Sequence, residues 1–166
     1  MRRKTVAIWS GVIFLIVIGI GVGYKIYDND TATYDMWSSR WGITIPKPAE
    51  LVVVFESEPS FHGDGEGYYV LNYNEEQLAK VQDQALWQPI TEESRHSLEG
   101  EVSRFTQSII LVSQKEIAKY GKLYKNYPTE YDAGDYYYYK KKEDGSYCIV
   151  ILNVDKQRLY LMEWIQ

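Results

Sequence analysis

The residues best placed to do chemistry stand in Phe61-His62-Gly63-Asp64-Gly65-Glu66-Gly67, where an imidazole and two carboxylates alternate with glycines. In an extended chain alternate side chains project to one side, so His62, Asp64 and Glu66 converge while the glycines let the backbone curl around them. Carboxylate oxygens suit calcium and an imidazole suits zinc, which makes the three residues a candidate metal site. The acids do not follow the DxDxDG order of a calcium loop, and no second histidine cluster completes a zinc set. A contact for another ligand or partner is a second reading of the loop. A plain hairpin loop, with glycines at positive φ and polar groups in water, is a third.

Catalytic sets are otherwise sparse. The chain has two histidines, His62 and His96, and neither adjoins a GxSxG elbow. P-loop, dinucleotide and CxxC motifs are absent from the sequence. Asp64 with Glu66 is a possible carboxylate pair for glycosidic cleavage, a role set by a separation that sequence does not give. Cys148, the only cysteine, lies in the apolar run Tyr147-Cys148-Ile149-Val150-Ile151-Leu152. It reads as a small buried hydrophobe, and a lone thiol makes no internal disulfide.

A second feature is tyrosine, 16 of 166 residues, with four in succession at Tyr136-Tyr137-Tyr138-Tyr139. On a strand Tyr136 and Tyr138 face one side and Tyr137 and Tyr139 the other, so one pair stands on the sheet face away from any helices. Tyr137 and Tyr139 are taken as candidate partner contacts, because exposed tyrosines make rigid amphipathic contacts. Tyrosine is also a good strand former, and cross-strand pairs of it stabilise a sheet.

These residues need a scaffold, and its first element is residues 5–24, TVAIWSGVIFLIVIGIGVGY, which carry no formal charge. At about 1.5 Å per residue a helix of this length covers roughly 30 Å, the hydrocarbon thickness of a bilayer. Arg2, Arg3 and Lys4 precede the run, which places the N-terminus in the cytoplasm and the remainder outside it. Trp9 and Tyr24 suit the two interfaces, and Gly19 and Gly23 form a GxxxG pair through which two copies can approach. A cleaved signal peptide is the competing reading, but no A-x-A-like site follows the apolar run. The whole chain carries 18 Lys and Arg against 23 Asp and Glu, and with the three N-terminal bases set aside the rest is more acidic still. Such a surface disfavours nucleic acid and suits a cationic partner or simple solubility.

Residues 1–4, 5–24, 25–48 and 49–166 thus read as a cytoplasmic end, an anchor, a connector and one extracytoplasmic domain. Within the connector, Tyr34 to Trp41 forms a short helix capped by Thr33 and ended by Gly42, with Trp37 and Trp41 on one face. Leu51 to Phe55 reads as a buried strand and Gly67 to Tyr73 as its antiparallel neighbour. Asn74 with Gln77 forms a capping box for a helix bearing Leu78 and Val81. Leu98, Val102, Phe105, Ile109 and Val112 make the stripe of a long helix, extended by Ile117, Tyr120 and Leu123 to a cap at Gly121. Three strands follow, Tyr136 to Lys140, Tyr147 to Val154 and Arg158 to Ile165, the first two joined by an Asp144-Gly145 turn. The expected fold is α+β: after a transmembrane helix, an antiparallel sheet of about five strands with two helices on one face.

The basic start, single anchor, tyrosine-rich domain with FHGDGEGYY and closing ILNVDKQRLYLMEW hairpin resemble the small single-anchor extracytoplasmic proteins of Gram-positive bacteria. That resemblance covers layout only and transfers no activity and no functional residue. The function that fits is a membrane-anchored binding module without catalysis or cofactor, contacting a protein or cell-envelope partner through its tyrosine face and the 61–67 loop. The alternative is a metal-dependent envelope hydrolase centred on His62, Asp64 and Glu66.

Overall fold

The computed structural model describes residues 32–58, 64–112 and 117–166. The anchor reading, with Arg2, Arg3, Lys4, Trp9, Gly19, Gly23 and Tyr24, lies outside the described residues, as does His62. Among the described residues no helix is long and apolar enough to cross a membrane. The chain divides between Lys47 and Pro48 into two compact units.

In the first unit, helix α1 (residues 32–41) already includes Thr33, so that residue is helical where the sequence suggested a cap. The helix ends at Gly42, whose φ of 73° and N–H bond to the Ser38 carbonyl at 2.8 Å form a left-handed C-terminal cap. Trp37 and Trp41 are both fully buried, and the Tyr34 and Trp37 rings meet edge-on at 5.9 Å.

The second unit runs β1 (Glu50–Glu56), β2 (Gly65–Asn72), α2 (Glu75–Gln82), β3 (Gln88–Pro89), α3 (Glu92–Val112), α4 (Ile117–Asn126), β4 (Tyr136–Lys141), β5 (Tyr147–Asn153) and β6 (Arg158–Ile165). The six strands form one sheet in the order β1-β2-β6-β5-β4-β3, with every pairing antiparallel. This is an α+β fold. The Asn74 and Gln77 capping box forms as the spacing predicts, through bonds of 2.9 and 3.0 Å. Gly145 turns the β4–β5 hairpin at a φ of 93°, and Asp144 accepts the Ser146 N–H.

One sheet face packs under α3 and α4. Phe55, Tyr68, Val70, Tyr147, Ile149, Ile151, Tyr160 and Met162 from the strands meet Leu98, Phe105 and Ile109 of α3, with Tyr120, Leu123 and Tyr124 of α4 against them. The opposite face is buried too, at Leu71, Cys148, Val150, Leu152, Leu159 and Leu161. Expecting one covered face underestimates β5 and β6, whose unbroken apolar runs call for burial on both sides. The buried Leu78 and Val81 of α2 are not members of the cluster beneath α3 and α4. Burial, with Glu163 nearby, pushes the Cys148 thiol up to about 12.

Three further expectations are corrected. β1 is an edge strand, bulged between Val53 and Phe55, and Val53 is 44 % exposed, so it is not buried on both faces. Gly121 lies inside α4 with no positive φ, because the helix runs on to Asn126. β3 adds a sixth strand that two residues, one of them proline, do not announce.

The segment after α4 is stitched to the sheet by polar side chains. Tyr68 Oη donates to the Tyr127 carbonyl at 3.0 Å and lies 3.0 Å from Thr129 Oγ1. Asp135 accepts the N–H groups of Asp132 and Val154, both at 2.9 Å, and Asn153 donates to the Glu130 carbonyl.

Candidate functional site

The β1–β2 hairpin closes on Ser57, whose N–H donates to the Glu66 carbonyl while its Oγ accepts the Glu66 N–H, both at 2.9 Å. A side chain at Gly65 would meet that hydroxyl and one at Gly67 the Tyr69 ring, so either substitution must displace a neighbouring side chain. This backbone sets Glu66 on the helix face of β2, in the same alternation as Tyr68 and Val70. Glu66 is 9 % exposed, whereas Asp64, one residue before the strand, is half-buried. Among the described residues no three His, Cys, Asp or Glu side chains stand together as a metal set. His96 is exposed on the first turns of α3.

Register carries the site across the sheet from Glu66. Glu66 lies opposite Trp164 of β6, and Trp164 lies opposite Tyr147 of β5. The Tyr147 and Trp164 rings are 5.6 Å apart at 43°, and Tyr139 of β4 approaches Tyr147 at 6.3 Å and 39°. Three tilted rings therefore form a row that ends at a carboxylate. Tyr139 and Trp164 are half-buried and Tyr147 is 7 % exposed.

From the helix above, Glu101 and Arg104 act on the row's phenols and pair with each other at 2.7 Å. Burial, then Glu101, then Tyr139 and Glu66 push the Tyr147 hydroxyl up to about 12, with Arg104 opposing. Burial and Glu101 raise Tyr139 in the same way. Ser57 holds the Glu66 backbone, and the Glu66 carboxylate acts on Tyr147 through space.

Of the residues singled out from sequence, the structure brings Glu66 and Tyr139 to one end of the helix face. Tyr137 shares that face, packed half-buried against the core, opposite Ile151 and Gln88. Tyr136 and Tyr138 are the pair on the far face. Tyr147 and Trp164 were not singled out. The alternation Tyr160-x-Met162-x-Trp164 marks Trp164 as sharing a face with the core, but the register that sets it beside Glu66 is a tertiary fact.

Concavities among the described residues lie elsewhere in this unit. A cavity of about 230 Å³ between β1, α3 and α4 is lined by Val54, Phe55, Ile109, Ile110 and Tyr120, with the Thr106 and Tyr124 hydroxyls paired at 3.0 Å in its wall. A polar groove of about 380 Å³ holds Arg95, Glu99, Glu130, Asp132 and Lys156. Its charges neutralise one another, Arg95 with Glu99 and Asp132 and Lys156 with Glu130. Comparison of the chain with protein-family models, curated proteins and solved structures finds no match.

Proposed function

We propose that the chain is a membrane-anchored extracytoplasmic binding module without catalytic activity, which presents the Glu66, Trp164, Tyr147 and Tyr139 end of its sheet to a protein partner. The convergence of the Tyr139, Tyr147 and Trp164 rings beside Glu66 at one end of the sheet is the observation that carries this reading. Aromatic rings with a polar handle supply large rigid contact area at low entropic cost, and partner sites concentrate them. His62 and Asp64 precede Glu66 by four and two positions in the sequence. The charge-free run of residues 5–24 behind Arg2, Arg3 and Lys4 supports a single-pass tether with the N-terminus in the cytoplasm. The layout of small anchored Gram-positive proteins fits that arrangement.

The test is photocrosslinking of the membrane-embedded full chain with a photoreactive residue replacing Tyr139 or Trp164, and Lys80 of α2 as the control position. One discrete protein adduct from both site positions and none from Lys80 is expected. Equal adducts from all three positions, or none from the site, would refute the assignment. Protease added to intact cells or spheroplasts should remove the C-terminal domain; full protection would place it inside instead.

A further inference from the structure

The cavity of about 230 Å³ between β1, α3 and α4 is held open by features of the chain on two of its sides. In β1 the pairing skips from Val53 to Phe55, so Val54 is the extra residue of a bulge and lines the cavity together with Phe55. In α4 the wall includes Gly121, inside the helix, where an added Cβ meets nothing within 4 Å. The Phe55 and Tyr120 rings meet edge-on at 4.9 Å and 71°, which braces β1 against α4. Protein interiors hold few voids larger than a water, and an empty one forfeits the contacts of its lining. A larger residue at position 121 would close part of this space, yet the chain carries glycine there at a cost to the helix.

What lines the space selects its occupant. Val54, Phe55, Ile109, Ile110 and the Tyr120 ring make the wall apolar. Its two hydroxyls are satisfied within the protein: Thr106 donates to the Val102 carbonyl at 2.9 Å, so the Tyr124 hydroxyl, 3.0 Å from Thr106 Oγ1, donates to it. Neither is left over to hold water, and an apolar cavity without polar partners stays dry. An engineered apolar cavity of about 150 Å³ takes up benzene, so this one accepts a guest somewhat larger, of ring or short-chain size. The space is reached from solvent, because Ile110 is 53 % exposed and Lys125, also on the lining, is exposed. Lys125 is the one charged residue of the lining and makes no ion pair among the described residues. A cation at the mouth of an apolar cavity answers a guest that ends in an anion.

We infer that this cavity binds a small apolar acid, whose ring or short acyl chain enters between β1, α3 and α4 while its carboxylate meets Lys125 at the mouth. The site uses none of the residues of the Tyr139, Tyr147 and Trp164 end, so it stands or falls separately from the partner reading. A cationic amphiphile sets like charge against Lys125, and a neutral one leaves it unanswered. Burial of the apolar body supplies most of the affinity, and Lys125, being exposed, adds about two- to fivefold.

The test titrates the full chain, labelled at its isoleucine δ1 methyls and embedded in lipid nanodiscs, with hexanoate, hexanol and hexylammonium. The readouts are the Ile109 and Ile110 methyl resonances, assigned by their loss in Ile109→Val and Ile110→Val. Saturable shifts with hexanoate are expected, with hexanol about two- to fivefold weaker and hexylammonium weaker still. Lys125→Gln should bring hexanoate down to the affinity of hexanol and leave hexanol unchanged. Lys122→Gln, which removes an equal charge from α4 at a position that does not line the cavity, should leave hexanoate unchanged. Gly121→Leu and Gly121→Met should fill the space and abolish the shifts, and a melting midpoint at or above that of the parent separates a filled cavity from a lost fold. Failure of hexanoate to shift either methyl in the parent chain overturns the site. So does equal affinity for hexanoate and hexylammonium, or undiminished binding in a Gly121 variant that keeps the parent midpoint.

Discussion

Tyr68 and Tyr160 offer one substitution with two opposite expected signs. Both side chains are fully buried on the helix face of neighbouring strands. The single phenolic proton of Tyr68 goes to the Tyr127 carbonyl at 3.0 Å, so the Thr129 hydroxyl, also at 3.0 Å, donates to its oxygen. Tyr160 Oη is buried with no hydrogen-bond partner among the described residues. The Arg158 guanidinium, whose Nε is given to Asn72 Oδ1 at 2.9 Å, stands close enough to Tyr160 to draw its pKa down against burial, yet makes no hydrogen bond of ordinary geometry to it. Tyr68→Phe strands a carbonyl and a hydroxyl and should cost about 1–3 kcal/mol. Tyr160→Phe removes a polar group that gains nothing from burial, so it should be neutral or stabilising by up to about 1 kcal/mol. Urea unfolding of the full-length protein by tryptophan fluorescence, at unchanged m, measures both, and each kcal/mol moves the thermal midpoint by roughly 4 °C. A Tyr160→Phe cost above about 1 kcal/mol, or a costless Tyr68→Phe, would show that the polar assignment around these rings is wrong.

Further outcomes follow from backbone and titration. Gly100→Ala and Gly121→Ala lie in helix interiors where an added Cβ meets nothing within 4 Å, so each should stabilise by about 0.5–1 kcal/mol in the same urea assay. Gly145→Ala, at a φ of 93°, should cost about 1 kcal/mol or more. Tyr147 and Cys148 are acids whose folded pKa values, each about 12, exceed the ordinary 10.0 and 9.0. The fold therefore favours their neutral forms; that stability is whole below pH 9 and drains away as pH rises from 9 toward 12. Thermal midpoints measured from pH 8 to 11 should fall over that window, and a flat profile would contradict the burial of both groups.

Local chemistry was legible where one residue type dictates one geometry. Asn74 with Gln77 and Asp144-Gly145 specify a cap and a turn from a few neighbouring positions, and the α3 stripe specifies a helix over several turns. The strands from Tyr136 onward could be read from propensity and alternation. What escaped is what only the assembled sheet decides. Alternation separates Tyr137 and Tyr139 from Tyr136 and Tyr138, but the packing of α3 and α4 decides which pair is covered. Glu66 stood out by composition, whereas its place beside Trp164 comes from pairing across β2 and β6, residues far apart in the chain. Gly121 looked like a helix end because glycine usually marks one, yet the apolar contacts of Leu123 and Tyr124 carry α4 past it.

The two outer strands bear on how the protein tolerates its own neighbours. Exposed strand edges invite intermolecular ladders. β1 interrupts its outer edge with a bulge and carries Glu50 and Glu56 at its ends. At the other margin β3 shields only the Tyr136 and Tyr137 end of β4. The rest of that strand leads from Tyr138 and Tyr139 into Lys140, Lys141 and Lys142. The tyrosine run of β4 thus passes directly into three successive lysines, and like charge at an edge disfavours pairing with a second copy. A high local concentration of the chain then meets repulsion at this edge before it meets a ladder.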